Sequence, residues 1–388
     1  MRILMVAPQA FFCAQGTPLS VYYRIRELEA IGHSVDLLTY PAGAPAPPME
    51  ARVFRSGPRF VRRVRPGPSW MKLLCDSVLL VDLVRRLRSE RYDLVYAHEE
   101  GAVLAALAAP LCDFPFVYEM HSSLPHQMAN WQFADLALVR LALRWAERHA
   151  IRDALAVVAT SPSLEVIART IKPEVNVATL VNAYLSDETV CAERMGGLRA
   201  EFDIPADAKL VTYTGSLAAI QQLDLLIHAV PMVVAGEPRT RVLIVGGSES
   251  EASALRQSVR EFGLEHVISV IGRRPPAEMP AFMAISEVLV SPRIKGVNAP
   301  GKLLSYLSAG RAIVATDAPV HRDILCDGTA ILTEPSPNAF ACGILTALGN
   351  PTLVERLAGR AQARARELSA PATRLAVYER LFRDVPRR

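Results

Sequence analysis

Short runs of Val, Ile and Leu alternate with helix-length segments along most of the chain, and this alternation is the feature that most constrains its fold. The first half contains the apolar runs Ile3–Ala7, Val35–Thr39, Leu94–Ala97, Phe116–Tyr118 and Ala156–Ala159. The second half restarts the alternation at Leu210–Thr214, Val242–Val245, Val267–Ile271, Val288–Val290 and Ala312–Ala315. Buried strands separated by helices are typical of a parallel sheet covered on both faces. The sequence therefore predicts an α/β protein built from doubly wound, Rossmann-like domains.

The length and the interruptions of the pattern predict two such domains. A chain of 388 residues is too long for one hydrophobic core. Turn-forming residues interrupt the alternation between about 182 and 206, so we place the domains at residues 1–184 and 185–370. A final helix in 371–388 follows, and its docking partner cannot be derived from the sequence. Because ligands bind at the carboxyl ends of parallel strands, we expect the site in a cleft between the two facing domains.

Composition and terminal sequence exclude several classes of protein. The six cysteines are scattered without CxxC or zinc-type spacing, which argues against a disulfide framework or a structural metal. The formal net charge is only +4, and no nucleic-acid-binding module is visible. The chain opens on MRILMVAP with no signal peptide, and its longest apolar segment, 102–112, is too short to span a bilayer. We expect a cytoplasmic protein, with peripheral membrane contact left open.

The segment Ser291–Asp317, SPRIKGVNAPGKLLSYLSAGRAIVATD, carries the clearest chemical signal. A strand ends at Arg293, and after a polar loop a short helix is predicted from Pro300 to Gly310. Its first turn would offer the backbone N–H groups of residues 301–303, next to the side chains of Lys302 and Ser305. The pattern predicts an anion site, with diphosphate as the expected ligand.

Several segments, taken together, resemble a known family. The opening MRILMVAPQAFFCAQGTPLSVYYRIRELEAIGHSVDLLTYP is followed by YTGSLAAIQQLDLLIHAV, VLIVGGSESE, GRRPPAEMPAFMAISEVLVSP and PGKLLSYLSAGRAIVATD. Their order and spacing over nearly the whole chain resemble the family 4 glycosyltransferases of the GT-B fold. The resemblance implies transfer of a sugar, of the hexosyl type, from a nucleotide diphosphate sugar to an acceptor. It also implies retention of the anomeric configuration and no required metal or other cofactor.

The resemblance assigns further residues to the donor site. Gly16 and Thr17 match the N-terminal loop that approaches the diphosphate, where glycine permits close approach. Thr214, Gly215 and Ser216 match a loop near the phosphate or the sugar, although Ser216 could equally be a plain helix cap. Backbone groups near Gly272 and Arg273 match the region that binds the base. Developing charge on the diphosphate would be met by Arg293 and Lys302.

Two departures from the family pattern concern the same site. Members usually carry a Glu-x7-Glu motif, but here Val297 and Ser305 occupy the two positions, and Asn298 is left as the neighbouring polar group. A hydroxyl at 305 can still bond ribose without the charge-assisted contribution. Gln221 and Gln222 replace a common Lys-Gly pair, which places more of the phosphate charge on Arg293 and Lys302.

Histidine and carboxylate side chains mark the acceptor side. His121 follows a strand in VYEMHSSLP and matches the family's cleft histidine, which we expect to hydrogen-bond the transferred sugar rather than act as a base. Glu119 is a second catalytic candidate, with a buried ion pair as the alternative. His98 and Glu99 end another strand and are predicted to shape the acceptor pocket. Adjacent residues on one turn cannot all face one ion, so a metal site at His98–Glu100 is not expected.

A basic segment with interspersed aromatic residues lies between residues 52 and 91, which contains eleven Arg or Lys and three Asp or Glu. One interpretation is a solvated connector; the other is a patch that contacts anionic lipid or a lipid-linked acceptor. Helix 136–148, LALVRLALRWAER, is interpreted as covering a sheet, with membrane contact as the alternative.

These patterns together predict a metal-independent, retaining glycosyltransferase acting on a glycan or lipid-linked acceptor. The alternatives are a nucleotide-sugar epimerase on the same architecture and a non-catalytic nucleotide-sugar-binding protein.

Overall fold

A computed structural model describes the chain except residues 13–15, 46–47, 59, 62–63, 65–68, 129–136, 183–191, 297–298 and 387–388. The chain divides into two compact units. We call residues 1–182 with 371–388 the N-terminal unit, and residues 183–370 the C-terminal unit. Each unit contains one parallel sheet with helices packed against it.

The sheet of the N-terminal unit has seven parallel strands in the order β3-β2-β1-β4-β5-β6-β7. They are β1 Arg2–Ala7, β2 Ser34–Thr39, β3 Arg52–Arg55, β4 Leu94–His98, β5 Phe116–Met120, β6 Ala156–Ala159 and β7 Val177–Thr179. The central strands are buried along almost their whole length, as expected when helices cover both faces. The strand order reverses direction between β1 and β4, so a ligand crevice is expected beyond the carboxyl ends of these two strands.

The helices of this unit connect consecutive strands. They are α1 Thr17–Ala30, α2 Trp70–Ser89, α3 Gly101–Cys112, α4 Leu124–Met128, α5 Ala137–Asp153 and α6 Pro162–Ile171. Ser69 caps α2 and Ser161 caps α6 by accepting a hydrogen bond from a backbone N–H of the first turn. Gly101 begins α3 directly beside β1, where an added Cβ would lie 2.7 Å from the Val6 carbonyl oxygen.

The C-terminal unit has a six-stranded parallel sheet in the order β10-β9-β8-β11-β12-β13. The strands are β8 Lys209–Thr214, β9 Thr240–Val245, β10 Ile268–Ile271, β11 Val288–Ser291, β12 Ala312–Thr316 and β13 Ile331–Thr333. The helices are α7 Ala192–Glu201, α8 Leu223–Gly236, α9 Glu249–Glu261, α10 Met279–Ala284, α11 Lys302–Ser308, α12 Pro319–Arg322, α13 Pro337–Gly349 and α14 Pro351–Ser369. The order reverses between β8 and β11, which marks the ends of these strands as this unit's ligand-binding edge.

The last helix, α15 Pro371–Leu381, belongs to the N-terminal unit. Tyr378 and Leu381 are buried in the core that β1, β2 and α1 form. Arg374 donates to Glu27 on α1 and to the Val181 carbonyl. The docking partner that the sequence left open is therefore the first domain rather than the second.

The two predicted Rossmann-like domains and all ten predicted strands are present. The sequence analysis missed β3, β7 and β13, which are edge strands of three or four residues. Of the six cysteines, Cys13 and Cys191 lie outside the described residues, and Cys75, Cys112, Cys326 and Cys342 are free thiols. No helix among the described residues is both long and apolar enough to cross a membrane.

Candidate functional site

The carboxyl ends of β8 and β11 bring the predicted donor residues of the C-terminal unit together. Gly215 follows β8, and Arg293 lies two residues beyond β11. Tyr213, the penultimate residue of β8, lies close to both Arg293 and Lys302. The predicted cationic pair therefore converges on one tyrosine at the reversal of strand order.

Arg293 is a buried cation at this edge, with 5% of its surface exposed. Its Nε donates to the Lys295 carbonyl at 2.7 Å, which turns the guanidinium back along its own loop. Gly296, at φ 127°, lies against that guanidinium, and an added Cβ would come within 2.0 Å of Nη2. Burial lowers the pKa of Arg293. The loop is thus shaped to hold a guanidinium, while the Lys295 side chain is exposed.

Lys302 places its ammonium nitrogen 3.5 Å from the centroid of the Tyr213 ring. This nitrogen is inaccessible to solvent and has no hydrogen-bond partner among the residues that the structure describes. Burial, and next the charge of Arg293, holds the pKa of Lys302 well below its usual value. An anion placed here would supply both the countercharge and the missing acceptor.

The helix that carries Lys302 is shorter than predicted. It begins at Lys302 rather than Pro300 and ends at Ser308. The Leu303 N–H donates to the Pro300 carbonyl at 3.0 Å, so the prediction of Leu303 as an anion donor is wrong. Gly301 is exposed and Ser305 is half-buried. Val297 and Asn298 lie outside the described residues, and the anion site at this helix stays a prediction.

The loop after β8 is fixed by tyrosine side chains. The Tyr306 hydroxyl accepts from the Thr214 N–H at 2.8 Å, and the Tyr213 hydroxyl donates to the Ser216 carbonyl at 2.6 Å. The Ser216 hydroxyl accepts from the Ala218 N–H at 3.2 Å, two residues on. This contact closes a turn, so the helix-cap alternative for Ser216 is wrong. Gly215, at φ 135°, adopts backbone angles that favour glycine.

A buried histidine that the sequence analysis missed joins β11 to β12. The His321 Nε2 lies 2.9 Å from the Ser291 hydroxyl, and its Nδ1 lies 2.8 Å from the Thr316 carbonyl. The Thr316 hydroxyl in turn donates to the Arg293 carbonyl. Burial lowers the pKa of His321 to about 4. A neutral imidazole therefore fixes the backbone on which Arg293 is mounted.

The predicted base-binding positions lie at the other edge of the same sheet. Gly272 follows the edge strand β10 and borders a groove of about 420 Å³ that also touches Phe202 and Arg256. Arg273 is exposed. The base-binding role of both positions stays a prediction.

Gly16 and Thr17 lie in the N-terminal unit at the start of α1. Gly16 has φ 61° and ψ −146°, a conformation restricted essentially to glycine, and its carbonyl accepts from the N–H groups of Leu19 and Ser20. No atom of the described residues beyond its chain neighbours lies within 4 Å of a Cβ placed on Gly16. The space needed for a close backbone approach is therefore present.

The acceptor-side residues cluster at the carboxyl ends of β4 and β5. His98 is the last residue of β4, and His121 follows β5 directly. His98 Nδ1 lies 3.0 Å from His121 Nε2, and the His121 Nδ1 lies 3.4 Å from the Asn182 side-chain amide. Burial lowers the pKa of both histidines, that of His98 to about 3. The two residues that the sequence predicted separately thus form one neutral pair.

Glu119 is fully buried behind this pair and is bound by Arg24 of α1. Arg24 Nε and Nη2 each donate to a different Glu119 oxygen at 2.8 Å. Burial opposes ionisation of Glu119, but Arg24 and then the histidines outweigh it, and its pKa lies below the usual range. The structure favours the ion-pair alternative for Glu119: the carboxylate faces the interior, and the catalytic assignment is not supported.

Further carboxylates line the same edge. Glu99, with φ 49°, accepts from the Ser122 hydroxyl, and burial together with Glu100 raises its pKa well above the usual value. Glu100 forms an ion pair with Lys72 of α2. Asp76, one turn further along α2, is bonded by Tyr40, and burial raises its pKa to about 6. The predicted acceptor pocket of His98 and Glu99 therefore extends to α2, which sequence spacing did not indicate.

His98, Glu119 and His121 form the one described group whose donor atoms, within 4.8 Å of one another, could together hold a metal ion. Two imidazoles and a carboxylate suit zinc in composition. Both Glu119 oxygens, however, already accept from Arg24, and the two facing imidazole nitrogens share one hydrogen bond. A divalent cation would have to displace a guanidinium, so the arrangement does not fit a metal.

The basic segment 52–91 is only partly available to a partner. Arg59, Arg62, Arg63 and Arg65 lie outside the described residues. Phe54 lies under Arg86, 3.4 Å from ring centroid to guanidinium carbon, and Arg55 donates to the carbonyls of Ala42 and Ala44. Phe60 and Trp70 are exposed. The described part of this segment therefore contains both side chains that are bound within the fold and aromatic side chains that are exposed.

Helix α5 corrects the sequence-based interpretation. Its buried face is Glu147, Ala150 and Ile151, whereas Leu138, Leu141 and Trp145 are 80%, 64% and 59% exposed. The apolar stripe is therefore exposed rather than packed, and the contacts of α5 are with the helices α3, α4 and α6.

Two family models match the chain, one in each unit. Residues 16–183 match a glycosyl transferase 4-like domain, and residues 208–350 match glycosyl transferases group 1. A phosphatidyl-myo-inositol mannosyltransferase of Mycobacterium tuberculosis is 26% identical over 98% of this chain and 97% of its own. An alpha-D-kanosaminyltransferase of Streptomyces kanamyceticus is 27% identical over 71% of this chain and 73% of its own.

Solved structures share the fold. Sucrose-phosphate synthase from Thermosynechococcus elongatus has a TM-score of 0.77 at 18% identity and covers 98% of this chain and 99% of its own. The Anabaena protein HepE in complex with UDP-glucose has a TM-score of 0.76 at 20% identity, with the same coverage of 98% and 99%.

Proposed function

Since the chain belongs to the family 4 glycosyltransferases of the GT-B fold, we propose that it moves a hexosyl group from a nucleotide diphosphate sugar to a glycan or lipid-linked acceptor. We propose further that configuration is retained and that no metal is required. The comparisons do not favour an epimerase or a non-catalytic binding protein.

The observation that carries the proposal is the buried ammonium group of Lys302. It lies beside Arg293 without an acceptor among the described residues, and burial lowers its pKa. A donor diphosphate would restore its charge and accept its hydrogen bonds. As the bond to the sugar breaks, negative charge grows on the diphosphate, and both cations stabilise that charge. This is the work that a divalent metal does in other transferases.

The N-terminal unit would supply the contacts to the sugar and acceptor. We assign the sugar contact to His121, and the acceptor pocket to the edge formed by His98, Glu99 and α2. In a retaining transfer by front-face departure, the leaving diphosphate takes the acceptor proton, so no side-chain base is needed. Gly16 and Thr17 are proposed to approach the diphosphate through their backbone.

The test is donor binding and slow donor hydrolysis with a panel of UDP-, GDP- and ADP-sugars. We expect one nucleotide to bind at micromolar concentration and one sugar to be hydrolysed. Hydrolysis at an undiminished rate after dialysis against EDTA supports metal independence, and loss that Mg²⁺ or Mn²⁺ restores contradicts it. The anomeric configuration of the released or transferred sugar, measured by NMR at early times, tests retention. Failure of every donor to bind contradicts the proposal as a whole.

A lipid-linked acceptor is proposed from the relative's name and from the surface of the N-terminal unit. The relative named for phosphatidyl-myo-inositol matches this chain over nearly its full length. Helices α2 and α5 both pack on α3, and each exposes apolar side chains. Those on α2 are Trp70, Leu73 and Leu74, and those on α5 are Leu138, Leu141 and Trp145. Arg140, Arg144 and Arg148 are exposed alongside, a combination that suits an anionic membrane surface.

Co-sedimentation with vesicles tests this part. We expect binding to vesicles with phosphatidylglycerol, weaker binding to phosphatidylcholine alone, and at least a several-fold loss in the double variant L141S/W145S. Val166→Ser on α6 is the matched control, because Val166 is comparably exposed, at 63%, on another helix. Absence of binding by the unaltered protein at low salt would exclude a membrane surface as partner.

A further inference from the structure

His98 and His121 each have two ring nitrogens, and their surroundings favour one of the two as the nitrogen that carries the proton. The two rings are nearly parallel, with 17° between their planes and 5.3 Å between their centroids. His98 Nδ1 and His121 Nε2 lie 3.0 Å apart, within hydrogen-bond range. Both imidazoles are buried, and burial lowers the pKa of each, so each ring carries one N–H. The contact must therefore contain one donor and one acceptor.

The remaining nitrogens have different surroundings. His98 Nε2 is buried and has no hydrogen-bond partner among the residues described. The His121 Nδ1 lies 3.4 Å from Nδ2, the side-chain amide nitrogen, of Asn182. That amide can present either its oxygen or its nitrogen to the ring, because the two ends exchange by a rotation.

Buried N–H groups without an acceptor are rarer in folded proteins than buried acceptors without a full set of donors. A proton on His98 Nε2 would be such an unsatisfied donor. The proton of His98 is therefore favoured on Nδ1, from which it donates to His121 Nε2. His121 Nε2 is then an acceptor, and the proton of His121 must lie on Nδ1.

Glu119 would otherwise oppose this arrangement, because a free carboxylate attracts an N–H on His121 Nε2. Its oxygens lie 3.4 Å from His121 Nε2 and 3.8 Å from His98 Nδ1, outside the range of good hydrogen bonds. Each oxygen accepts instead from Arg24 at 2.8 Å. Arg24 is held in turn by Tyr378 of α15, whose hydroxyl accepts from Arg24 Nη1 at 2.8 Å. Because the Glu119 oxygens accept from Arg24, they do not compete for the proton of His121.

We propose that His98 is a positioning residue that fixes His121 in the Nδ1–H tautomer. The inference rests on the proposed function, in which His121 contacts the transferred sugar. Because Nε2 faces the interior, Nδ1 is the nitrogen left for a substrate, and it carries a proton. His121 therefore donates a hydrogen bond to a sugar oxygen and has no accessible lone pair with which to act as a base. In the ligand-free protein Asn182 is predicted to turn its amide oxygen towards the ring and accept from Nδ1–H, and the sugar oxygen takes its place when the donor binds.

The first test is the ¹⁵N NMR spectrum of the ligand-free protein labelled at histidine. We expect Nδ1 of both His98 and His121 to have the shift of a protonated nitrogen, and Nε2 of both to have that of an unprotonated one. A protonated Nε2 on His121 would overturn the inference. This readout needs neither donor nor turnover, so it is independent of whether the proposed function holds.

The second test compares His98→Leu with His98→Asn. An Asn amide nitrogen can occupy the place of His98 Nδ1 and donate to His121, whereas Leu fills similar volume without a donor. In His98→Leu we expect His121 to lose the Nδ1–H tautomer. Turnover of the nucleotide sugar by His98→Leu is expected to fall at least tenfold. The fall should be smaller than the roughly hundredfold loss typical when a hydrogen-bond donor that contacts the substrate directly is removed. The dissociation constant of the donor is expected to change less than threefold.

In His98→Asn the tautomer and most of the turnover should return. Equal turnover in the Leu and Asn variants, or an unchanged tautomer in His98→Leu, would contradict the positioning role. If no nucleotide sugar binds to the unaltered protein, the proposed function fails, while the NMR result still decides the tautomer. Should His98→Leu not fold, the unaltered protein and His98→Asn remain measurable, and a His121 Nε2–H in either would be decisive.

Discussion

Lys72 of the N-terminal unit and Lys302 of the C-terminal unit both bring a buried ammonium group to the carboxyl end of a sheet. In each case burial by itself acts to lower the pKa. In Lys72 the charge of Glu100 outweighs burial, and the net shift of its pKa is upward. In Lys302 the neighbouring charge is Arg293, and the shift is strongly downward. The N-terminal unit therefore satisfies its buried cation from within the fold, whereas the C-terminal unit leaves Lys302 without a hydrogen-bond partner among the residues that the structure describes.

The same contrast holds for the guanidinium groups. Burial opposes the charge of Arg24, yet Glu119 and neighbouring groups hold its pKa well above the usual value. Burial lowers that of Arg293. Paired charges in the first unit stabilise the fold and position the histidines, while the cations of the second unit are held in place by backbone and aromatic contacts. Removing a charge should therefore have opposite consequences in the two units.

The largest effect is expected from breaking the buried pair of the N-terminal unit. Glu119→Leu leaves the Arg24 charge without its bidentate partner in a site that water does not reach. We expect the free energy of unfolding to fall by about 3–5 kcal/mol, measured by urea denaturation. The double variant R24M/E119L removes both charges and should recover most of the loss. Equal destabilisation of the single and double variants would show that packing, rather than charge, explains the effect.

Acid should weaken the C-terminal unit through His321. Its pKa is about 4 in the folded protein and near 6.5 unfolded, so between these pH values the unfolded chain binds more protons. Stability therefore falls as the pH decreases from 6.5 to 4, by up to about 3 kcal/mol at about 1.4 kcal/mol per unit of pKa shift. The lowered pKa of His98 in the N-terminal unit adds a further loss of stability in acid.

Urea denaturation at pH 7.5, 6 and 4.5 compares the unaltered protein with His321→Gln. The variant should be less stable at pH 7.5, because its contacts to Ser291 and Thr316 are weakened, but its stability should depend less on pH. Parallel pH profiles for the two proteins would mean that His321 is not the titrating group.

Lys302→Met should separate ligand affinity from stability. Donor affinity is expected to fall by about 1.5–3 kcal/mol, roughly 10- to 150-fold, as when a charged hydrogen bond is lost. The melting temperature should stay the same or rise, since a buried ammonium without a partner is replaced by an apolar chain of similar length. Isothermal titration and thermal denaturation measure the two quantities. Lys295→Met is the control, because that side chain is exposed on the same loop; if it weakens binding equally, net charge and not Lys302 carries the affinity.

The strand positions could be predicted because a parallel sheet covered on both faces requires continuous apolar runs. Strands such as β1 and β12 are buried over five consecutive residues each. β3, by contrast, reads Arg-Val-Phe-Arg and has no fully buried residue, so its sequence resembles a connector. Pairing with β2, rather than local preference, makes it a strand.

The candidate site was predictable where it depends on topology alone. His121 and Arg293 each follow a strand, and the carboxyl ends of parallel strands share one edge. The partners of these residues were not predictable, because they come from distant positions. Arg24 and Tyr378 are 354 residues apart and meet only because the last helix returns to the first unit. The ion pair of Arg24 with Glu119 likewise joins α1 to β5, 95 residues apart in the sequence.

The smallest effect concerns the glycine that begins α1 in the N-terminal unit. At φ 61° and ψ −146°, Gly16→Ala forces an L-residue into backbone angles it disfavours, although nothing lies within 4 Å of the new Cβ. We expect a loss of about 1 kcal/mol in unfolding free energy, the lower end for such backbone, because no clash adds to it. Gly349→Ala in the C-terminal unit is the matched control: its Cβ site is equally empty, but its φ is not positive, so Ala should be neutral or slightly stabilising. Titration of both variants with the nucleotide-sugar donor then decides the role of Gly16. Weaker binding by Gly16→Ala than by Gly349→Ala means that the diphosphate approaches this backbone. Equal affinities mean that Gly16 serves only the turn into α1.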